Sequence, residues 1–200
     1  MKKILILLIA LLCLSEISHS QTEKTVGSGG NYATLKGAFD AINNGTISGD
    51  ITLKIISSIS DNNSAVLNAS GSGLANYTSI LIYPTGSGYA LSGTVAGPMI
   101  HLNGADNVQM DGRVDATGSG KSLVISNSNT GTGSSTIRFS NSAENNSVKY
   151  CVIKGSGTNS VSGIVFFSSS TLGNGNDNNL IDHNDITAEA SGRPSNVVLS

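Results

Sequence analysis

Tryptophan is absent from the 200-residue sequence, and aromatic residues make up only 4% of it. Charged residues are also scarce: they form 12% of the chain, about half the usual share, and leave a formal net charge of −2. Because no stripe of Lys and Arg is available to neutralise phosphates, we do not expect nucleic acid as a partner. Ring stacking on a carbohydrate would depend on Tyr77, Tyr83, Tyr89 and Tyr150, although packing explains the two in strand-like clusters, Tyr83 and Tyr150, equally well.

The sequence has only two cysteines, and Cys13 lies in an apolar N-terminal run. Removal of that run leaves Cys151 without an intrachain partner, so no disulfide is expected. We expect Cys151 to be a small buried residue rather than a nucleophile. The sequence also lacks a Ser-His-Asp arrangement, a phosphate-binding glycine loop and a paired-cysteine zinc pattern. It therefore assigns no catalytic, cofactor-binding or metal-binding residues, and no cofactor is expected.

Residues 1–20 are predicted to be a signal peptide. Lys2 and Lys3 precede an apolar run, residues 4–14, that is too short to cross a bilayer as a stable anchor. The small residues of Ser18-His19-Ser20 place the cleavage before Gln21. One alternative is a membrane helix, but polar residues follow from Ser15 onward. The other is a lipoprotein modified at Cys13, but large leucines precede Cys13 where small residues are preferred. We expect a protein that is secreted or at the cell surface, with no membrane span after removal of the signal.

Residues 21–200 are long enough for one domain with a core. Gly, Ser and Asn together exceed a third of the chain, which is also typical of a disordered linker. However, Ile, Val and Leu recur in short clusters throughout and the net charge is small. This pattern favours many short strands separated by turns.

One helix is predicted near the start of this domain. Apolar residues recur there with the period of a helix: Leu35, Ala38, Phe39 and Ile42. Thr34 is placed to cap the helix, and Asn43-Asn44-Gly45 is placed to end it in a left-handed turn. Residues 25–33 show no strong structural pattern.

The strand-like clusters follow the helix and are bounded by Gly, Asn, Ser or Asp. They are residues 51–56, 79–83, 99–102, 107–110, 122–125 and 136–139. The region from Ser60 to Gly97 repeats poorly, and within it we predict an irregular path for residues 61–76.

An internal repeat distinguishes between a β-sandwich and stacked coils. Residues 145–153 align with residues 178–186 at an offset of 33, and the same offset carries residues 164–167 onto 197–200. Stacked coils produce such a repeat, whereas a sandwich has no reason to do so. We expect Val148 to lie over Ile181, Ile153 over Ile186, and Asn146 over Asn179 in a ladder of amide hydrogen bonds. Asn184 occupies the position that Cys151 holds one coil earlier.

Residues 178–186 resemble the repeat of pectate-lyase-like and polygalacturonase-like proteins, and residues 104–112 resemble a second form of that coil. Residues 32–42 are similar to the helix that caps the N-terminal end of such solenoids. The resemblance spans most of residues 31–200. It implies an all-β fold, a right-handed parallel β-helix with a short N-terminal capping helix, in a secreted bacterial protein.

The resemblance also implies where chemistry would lie. The lyases hold calcium with clustered acidic residues and use Arg or Lys as the base. The local candidates for these roles are Asp106, Asp111, Arg113 and Asp115. Asp111-Gly112 is also consistent with a plain turn. The hydrolases use Gly-His-Gly and Arg-x-Lys segments, which are absent here, and the two remaining histidines stand as Ile100-His101-Leu102 and Asp182-His183-Asn184.

The densest group of metal-capable side chains is Asp182, His183 and Asp185. On a strand, His183 and Asp185 would share a face. No third ligand stands at a recognisable spacing, so we interpret these residues as an exposed polar surface.

Residues 196–200 begin a further coil with no cap after it, and we therefore expect the chain to be the N-terminal part of a longer protein. The function expected first is a β-helix scaffold or adhesin that contacts an extracellular polysaccharide or a cell-surface partner. The alternative is a polysaccharide lyase or glycoside hydrolase whose active site is completed beyond residue 200. A third possibility is a structural spacer that presents a downstream domain.

Overall fold

The computed structural model describes residues 21–168, 175–190 and 192–200. The predicted signal peptide, residues 1–20, lies outside these described residues. Within them, no helix is long and apolar enough to cross a membrane.

The described residues form sixteen strands, one α-helix and one short 3-10 helix. The helices are α1 (Leu35–Asn43) and a 3-10 helix (Val114–Ala116). The strands are β1 (Thr22–Val26), β2 (Gly49–Ile55), β3 (Ile59–Ser60), β4 (Ala65–Asn68), β5 (Tyr77–Pro84), β6 (Tyr89–Gly93), β7 (Pro98–Asn103), β8 (Val108–Asp111), β9 (Leu123–Asn127), β10 (Ser135–Ser140), β11 (Ser147–Lys149), β12 (Cys151–Gly155), β13 (Val165–Phe167), β14 (Leu180–Asp182), β15 (Asp185–Ala188) and β16 (Val198–Leu199). These strands confirm the six clusters predicted from the sequence.

The strands form three sheets, and from β2 onward every third strand returns to the same sheet. Sheet A has the order β1-β2-β5-β8-β11-β14, sheet B the order β15-β12-β9-β6-β3, and sheet C the order β16-β13-β10-β7-β4. Neighbouring strands within each sheet are parallel. The chain therefore winds through five successive coils of a parallel β-solenoid, which confirms the predicted fold class.

Inward-facing side chains stack on their equivalents in the next coil, since parallel strands lie about 4.8 Å apart. One such column runs through Leu67, Leu102, Phe139 and Phe167. The rings of Phe139 and Phe167 stack with centroids 4.6 Å apart. The 33-residue repeat is confirmed as well, because Val148 pairs with Ile181 and Ile153 with Ile186.

Helix α1 follows the sequence prediction closely. Its buried residues are Leu35, Ala38, Phe39, Ala41 and Ile42, and it packs against β4. The hydroxyl of Thr34 accepts a hydrogen bond from the Gly37 N–H at 3.1 Å, as an N-cap does. The C-cap is Asn44, followed by Gly45 with φ of +76°.

In the N-terminal half, one strand was not predicted and one prediction is wrong. Part of the stretch without a strong pattern, residues 25–33, belongs to β1. Strand β4 interrupts the predicted irregular path at residues 61–76. This short strand depends on distant side chains: Asn43 donates to the Val66 carbonyl at 2.8 Å, and Asn103 donates to the Asn68 side chain at 2.9 Å. Local sequence patterns do not reveal such contacts.

The predicted asparagine ladder is present in the interior. Asn146 is 1% exposed, and its side-chain amide donates to the Ala105 carbonyl at 2.9 Å and to Asn179 Oδ1 at 3.0 Å. Its own Oδ1 accepts from the Val108 N–H at 2.9 Å. Asn146 thus satisfies backbone groups of the preceding coil at a bend where no strand pairing reaches them.

Replacing Asn146 with Ala leaves the Val108 N–H and the Ala105 carbonyl buried without partners. We expect Asn146→Ala to lower the free energy of unfolding by about 2–4 kcal/mol. Asn63→Ala, on the exposed surface, is the matched control and should stay within about 0.5 kcal/mol of wild type. Urea titration of both variants measures the difference, and equal effects would contradict the structural role of Asn146.

Ser135, the first residue of β10, carries the one buried side-chain polar atom without a hydrogen-bond partner among the described residues. Its neighbour Ser134 is equally buried but donates to Asn129 Oδ1 at 2.6 Å. We expect Ser135→Ala to leave stability unchanged or to raise it, because an unpaired hydroxyl is removed. Ser134→Ala should cost about 0.5–1.5 kcal/mol. A larger loss at Ser135 than at Ser134, measured by urea unfolding, would contradict this assignment.

Candidate functional site

A buried carboxylate lies on the outer side of sheet A. Asp111 follows the inward-facing Met110 at the end of β8, so alternation turns its side chain outward, yet it is 0% exposed. Arg113 covers it with two hydrogen bonds, from Nε to Oδ1 at 2.8 Å and from Nη2 to Oδ2 at 2.6 Å. Lys149, from the next coil, places Nζ 3.5 Å from Oδ2. Three charged groups from two coils therefore meet at one point.

The carboxylate of Asp111 is held in its charged form. Burial by itself raises its pKa, but the hydrogen bonds and charge of Arg113, together with the charge of Lys149, outweigh burial and lower the pKa below 3.8. Arg113 also donates from Nη1 to the Gly118 carbonyl at 3.0 Å, which fixes the segment after β8. Asp111 and Arg113 thus act as an internal tie between this segment and the sheet.

The chain does turn after Asp111, the last residue of β8, and Asp111 Oδ1 accepts from the Arg113 N–H at 3.2 Å, as in an Asx turn. Gly112 is required because a Cβ at this position would lie 2.1 Å from the Tyr150 carbonyl oxygen of the next coil. Of the other acidic candidates, Asp106 accepts from the Glu144 N–H at 2.7 Å and Asp115 is exposed on the 3-10 helix. The structure brings Asp111 and Arg113 together and leaves Asp106 and Asp115 outside their hydrogen-bond network.

Beside this tie, three planar side chains stack along the corner between sheets A and B. The guanidinium of Arg113 lies 4.5 Å from the ring centroid of Tyr150, and the Tyr150 and His183 rings stack with centroids 4.8 Å apart. Tyr150 and His183 hold equivalent corner positions with φ of 54° and 52°. We call Arg113, Tyr150 and His183 the Tyr150 column.

The predicted face shared by His183 and Asp185 does not form. His183 lies in the left-handed corner before β15, so strand alternation does not apply to it. Its Nδ1 lies 2.7 Å from Asp182 Oδ1, whereas Asp185 forms an ion pair with Lys121. Within the described residues, no three His, Cys, Asp or Glu side chains converge in a way that would hold a metal ion.

Cys151 is fully buried, as predicted. Its backbone N–H donates to Asn184 Oδ1 at 2.8 Å, which confirms that Asn184 occupies the equivalent position one coil later. Burial, followed by the nearby charge of Asp111, raises the pKa of the Cys151 thiol to about 12. The thiol is therefore protonated at neutral pH and unsuited to nucleophilic chemistry.

A second row of side chains runs along the outer face of sheet C and was missed in the sequence. Five residues stand in register on successive coils: Val66, His101, Arg138, Phe166 and Leu199. We call them the Arg138 row. The Arg138 guanidinium lies 5.3 Å from the Phe166 ring centroid, and its Nε donates to Ser168 Oγ at 3.0 Å. In the part of the chain that the structure describes, Arg138 has no carboxylate partner.

His101 is the neutral neighbour of this cation. Its Nε2 lies 2.7 Å from Ser140 Oγ. Burial, and then the charge of Arg138, lower the pKa of His101 from 6.5 to about 4. The row therefore presents one positive charge, a neutral imidazole and an aromatic ring at neutral pH.

A pocket beside α1 offers little room for a ligand. This apolar pocket, lined by Leu35, Ile59, Ala65, Leu91 and Ile100, has a volume of ≈ 20 Å³, which suits about one water molecule. Comparison of the chain with protein-family models, curated proteins and solved structures gives no match.

The lowered pKa of His101 makes stability depend on pH. The unfolded chain takes up a proton on His101 near pH 6.5 and the folded chain only near pH 4, so the free energy of unfolding falls as pH drops between these values. We expect His101→Gln to flatten this part of the profile, measured by urea unfolding at a series of pH values. Asp111 and Glu189, whose pKa values are lowered from 3.8 and 4.5, act mainly at lower pH. Parallel profiles for the two proteins between pH 6.5 and 4 would contradict the prediction.

Proposed function

We propose that this chain is a secreted or cell-surface scaffold of the adhesin kind, which contacts an extracellular polysaccharide through the Arg138 row. The observation that carries the proposal is the guanidinium of Arg138, which lies over Phe166 on the outer face of sheet C and has no carboxylate partner among the described residues. Export is supported by the predicted signal peptide, residues 1–20.

The Arg138 row is better suited to a ligand than the Tyr150 column. In the Tyr150 column, Arg113 already donates hydrogen bonds to Asp111 and to the Gly118 carbonyl. In the Arg138 row, only Nε of Arg138 is engaged, by Ser168 Oγ, and the two Nη groups have no hydrogen-bond partner among the described residues. Because Nε fixes the orientation of the guanidinium, its two Nη groups are positioned to donate paired hydrogen bonds to a hydroxyl or carboxylate oxygen.

The shape of the row fits a chain-like ligand. Its five residues come from five successive coils and are spaced at about 4.8 Å, so polar and apolar groups recur along a straight line. Phe166 supplies an apolar surface beside the cation, and the polar groups along the row are the Arg138 guanidinium and the His101 imidazole. Sugar rings present the same mixture of apolar faces and oxygen-rich edges.

A polysaccharide lyase or glycoside hydrolase, with kinship to pectate-lyase-like proteins, is the second candidate. It is favoured by His101 standing next to Arg138, because a neutral imidazole beside a cation is able to accept a proton from a bound sugar. A base with a pKa of about 4 is weak at neutral pH, however, and the buried Asp111 cannot reach a ligand. This candidate requires catalytic groups beyond residue 200.

Affinity electrophoresis through native gels tests the proposal, with polygalacturonate and alginate as acidic polymers and dextran as a neutral one. We expect a gel containing a polysaccharide to retard wild type, and Arg138→Gln to weaken binding about tenfold, since a charge-assisted hydrogen bond is lost. Arg193→Gln removes the same charge from an exposed position elsewhere and should bind like wild type.

The other outcomes distinguish the remaining functions. Equal binding by Arg138→Gln and wild type would contradict the role of the Arg138 row. No retardation in any gel would favour a structural spacer over a polysaccharide-binding scaffold. Release of reducing ends from a bound polymer would favour the enzyme.

A further inference from the structure

An asparagine–glycine pair ends helix α1 and is exposed to solvent. Asn44 is the C-cap, and its N–H donates to the Asp40 carbonyl at 3.0 Å. Its side-chain Oδ1 accepts two hydrogen bonds from Thr46, one from the backbone N–H at 3.0 Å and one from the hydroxyl at 2.5 Å. Its side-chain nitrogen has no partner among the described residues.

We propose that Asn44 is a site of spontaneous deamidation. In this reaction the backbone nitrogen of Gly45 bonds to the side-chain carbonyl carbon of Asn44 and loses its proton, and the bond from that carbon to the side-chain nitrogen breaks with release of ammonia. Water then opens the resulting five-membered ring and leaves either aspartate or isoaspartate. The reaction needs no partner other than water, and a glycine without a Cβ hinders the attack least.

The contacts of Asn44 favour this reaction. Negative charge builds on Oδ1 during the attack, and the two Thr46 donors already point at this atom, as the donors of an oxyanion hole do. Asn44 itself is exposed to solvent. One contact opposes the reaction, because the attacking Gly45 nitrogen donates to the Ile42 carbonyl at 3.0 Å. Release of this bond requires only that the last turn of the helix frays, which is a low-energy motion.

The pair Asn103-Gly104 provides a matched comparison within the same chain. The Asn103 side chain donates to Asn68 Oδ1 at 2.9 Å and accepts from Asn141 at 2.6 Å. The Gly104 nitrogen donates to the Ser140 carbonyl at 2.8 Å. Every reacting group is thus tied to a neighbouring coil, and the reaction requires coils to separate. A third pair, Asn174-Gly175, includes Asn174, which lies outside the described residues.

Conversion of Asn44 would weaken the end of α1. The product carries a negative charge next to the carbonyl end of the helix, where the helix dipole is also negative, and isoaspartate adds an atom to the backbone. The adjacent Asn43 joins α1 to β4 by hydrogen bonds, since it donates to the Val66 carbonyl at 2.8 Å and accepts from the Asn68 N–H at 3.0 Å. The modification therefore loosens the helix where it meets the first complete coil.

Peptide mapping with isoaspartate detection tests the proposal on the full chain, aged at neutral pH either folded or in concentrated urea. In urea, both Asn44 and Asn103 should convert at similar rates, because both precede glycine. In the folded chain, Asn44 should convert at least about tenfold faster than Asn103, because fraying is easier than coil separation. Equal rates in the folded chain, or protection of Asn44 to the level of Asn103, would overturn the proposal.

Asn44→Gln provides an independent readout, because a glutamine side chain does not close a five-membered ring. Ageing should lower the Tm of the wild-type chain and leave that of Asn44→Gln unchanged. An equal fall in both would show that the loss of stability has another origin and would overturn the stated consequence for α1.

Discussion

Parallel pairing of each coil with the next is the interaction on which the rest of the structure depends. The backbone groups of a strand find their partners one coil above and one coil below, so paired strand residues lie about 4.8 Å from their equivalents. Inward positions become apolar columns such as Leu102, Phe139 and Phe167. Outward positions become rows such as the Arg138 row. Packing and surface chemistry thus follow from the same register.

The corners depend on polar side chains that take over where strand pairing stops. Asn127 donates to the Val95 and Ser135 carbonyls at 3.0 and 2.9 Å and accepts from the Val95 N–H at 3.0 Å. Asn146 likewise binds backbone groups at another corner. The tie of Asp111 to Arg113 and Lys149 is the charged counterpart on the outer face. A chain rich in Gly, Ser and Asn is therefore able to bury its backbone with few charges.

The sequence predicts the features that repeat locally or at a constant spacing. Helix α1 was visible in its apolar period, and the last two coils were visible because their strands pair at one offset of 33. Earlier coils differ in loop length, since Ser147 pairs with Gln109 but Cys151 with Leu123, and this hides their repeat. Asp111 and Arg113 were candidates because the resemblance to the lyases implies a cluster of acidic residues beside a basic one. The Arg138 row was not predicted, because His101, Arg138 and Phe166 come from three coils of different length.

Disulfide trapping of register partners tests the parallel in-register solenoid most directly. Ser147 and Leu180 are paired and face outward, so cysteines introduced at both positions, in a Cys151→Ser background, should have Cα atoms about 5 Å apart and oxidise to a disulfide. A shifted pair, Ser147→Cys with Asp182→Cys, places the cysteines on the same face but beyond the roughly 7 Å limit, and should stay reduced. Efficient disulfide formation by the shifted pair, or no disulfide formation by the register pair, would contradict the stacking on which the Tyr150 column and the Arg138 row depend.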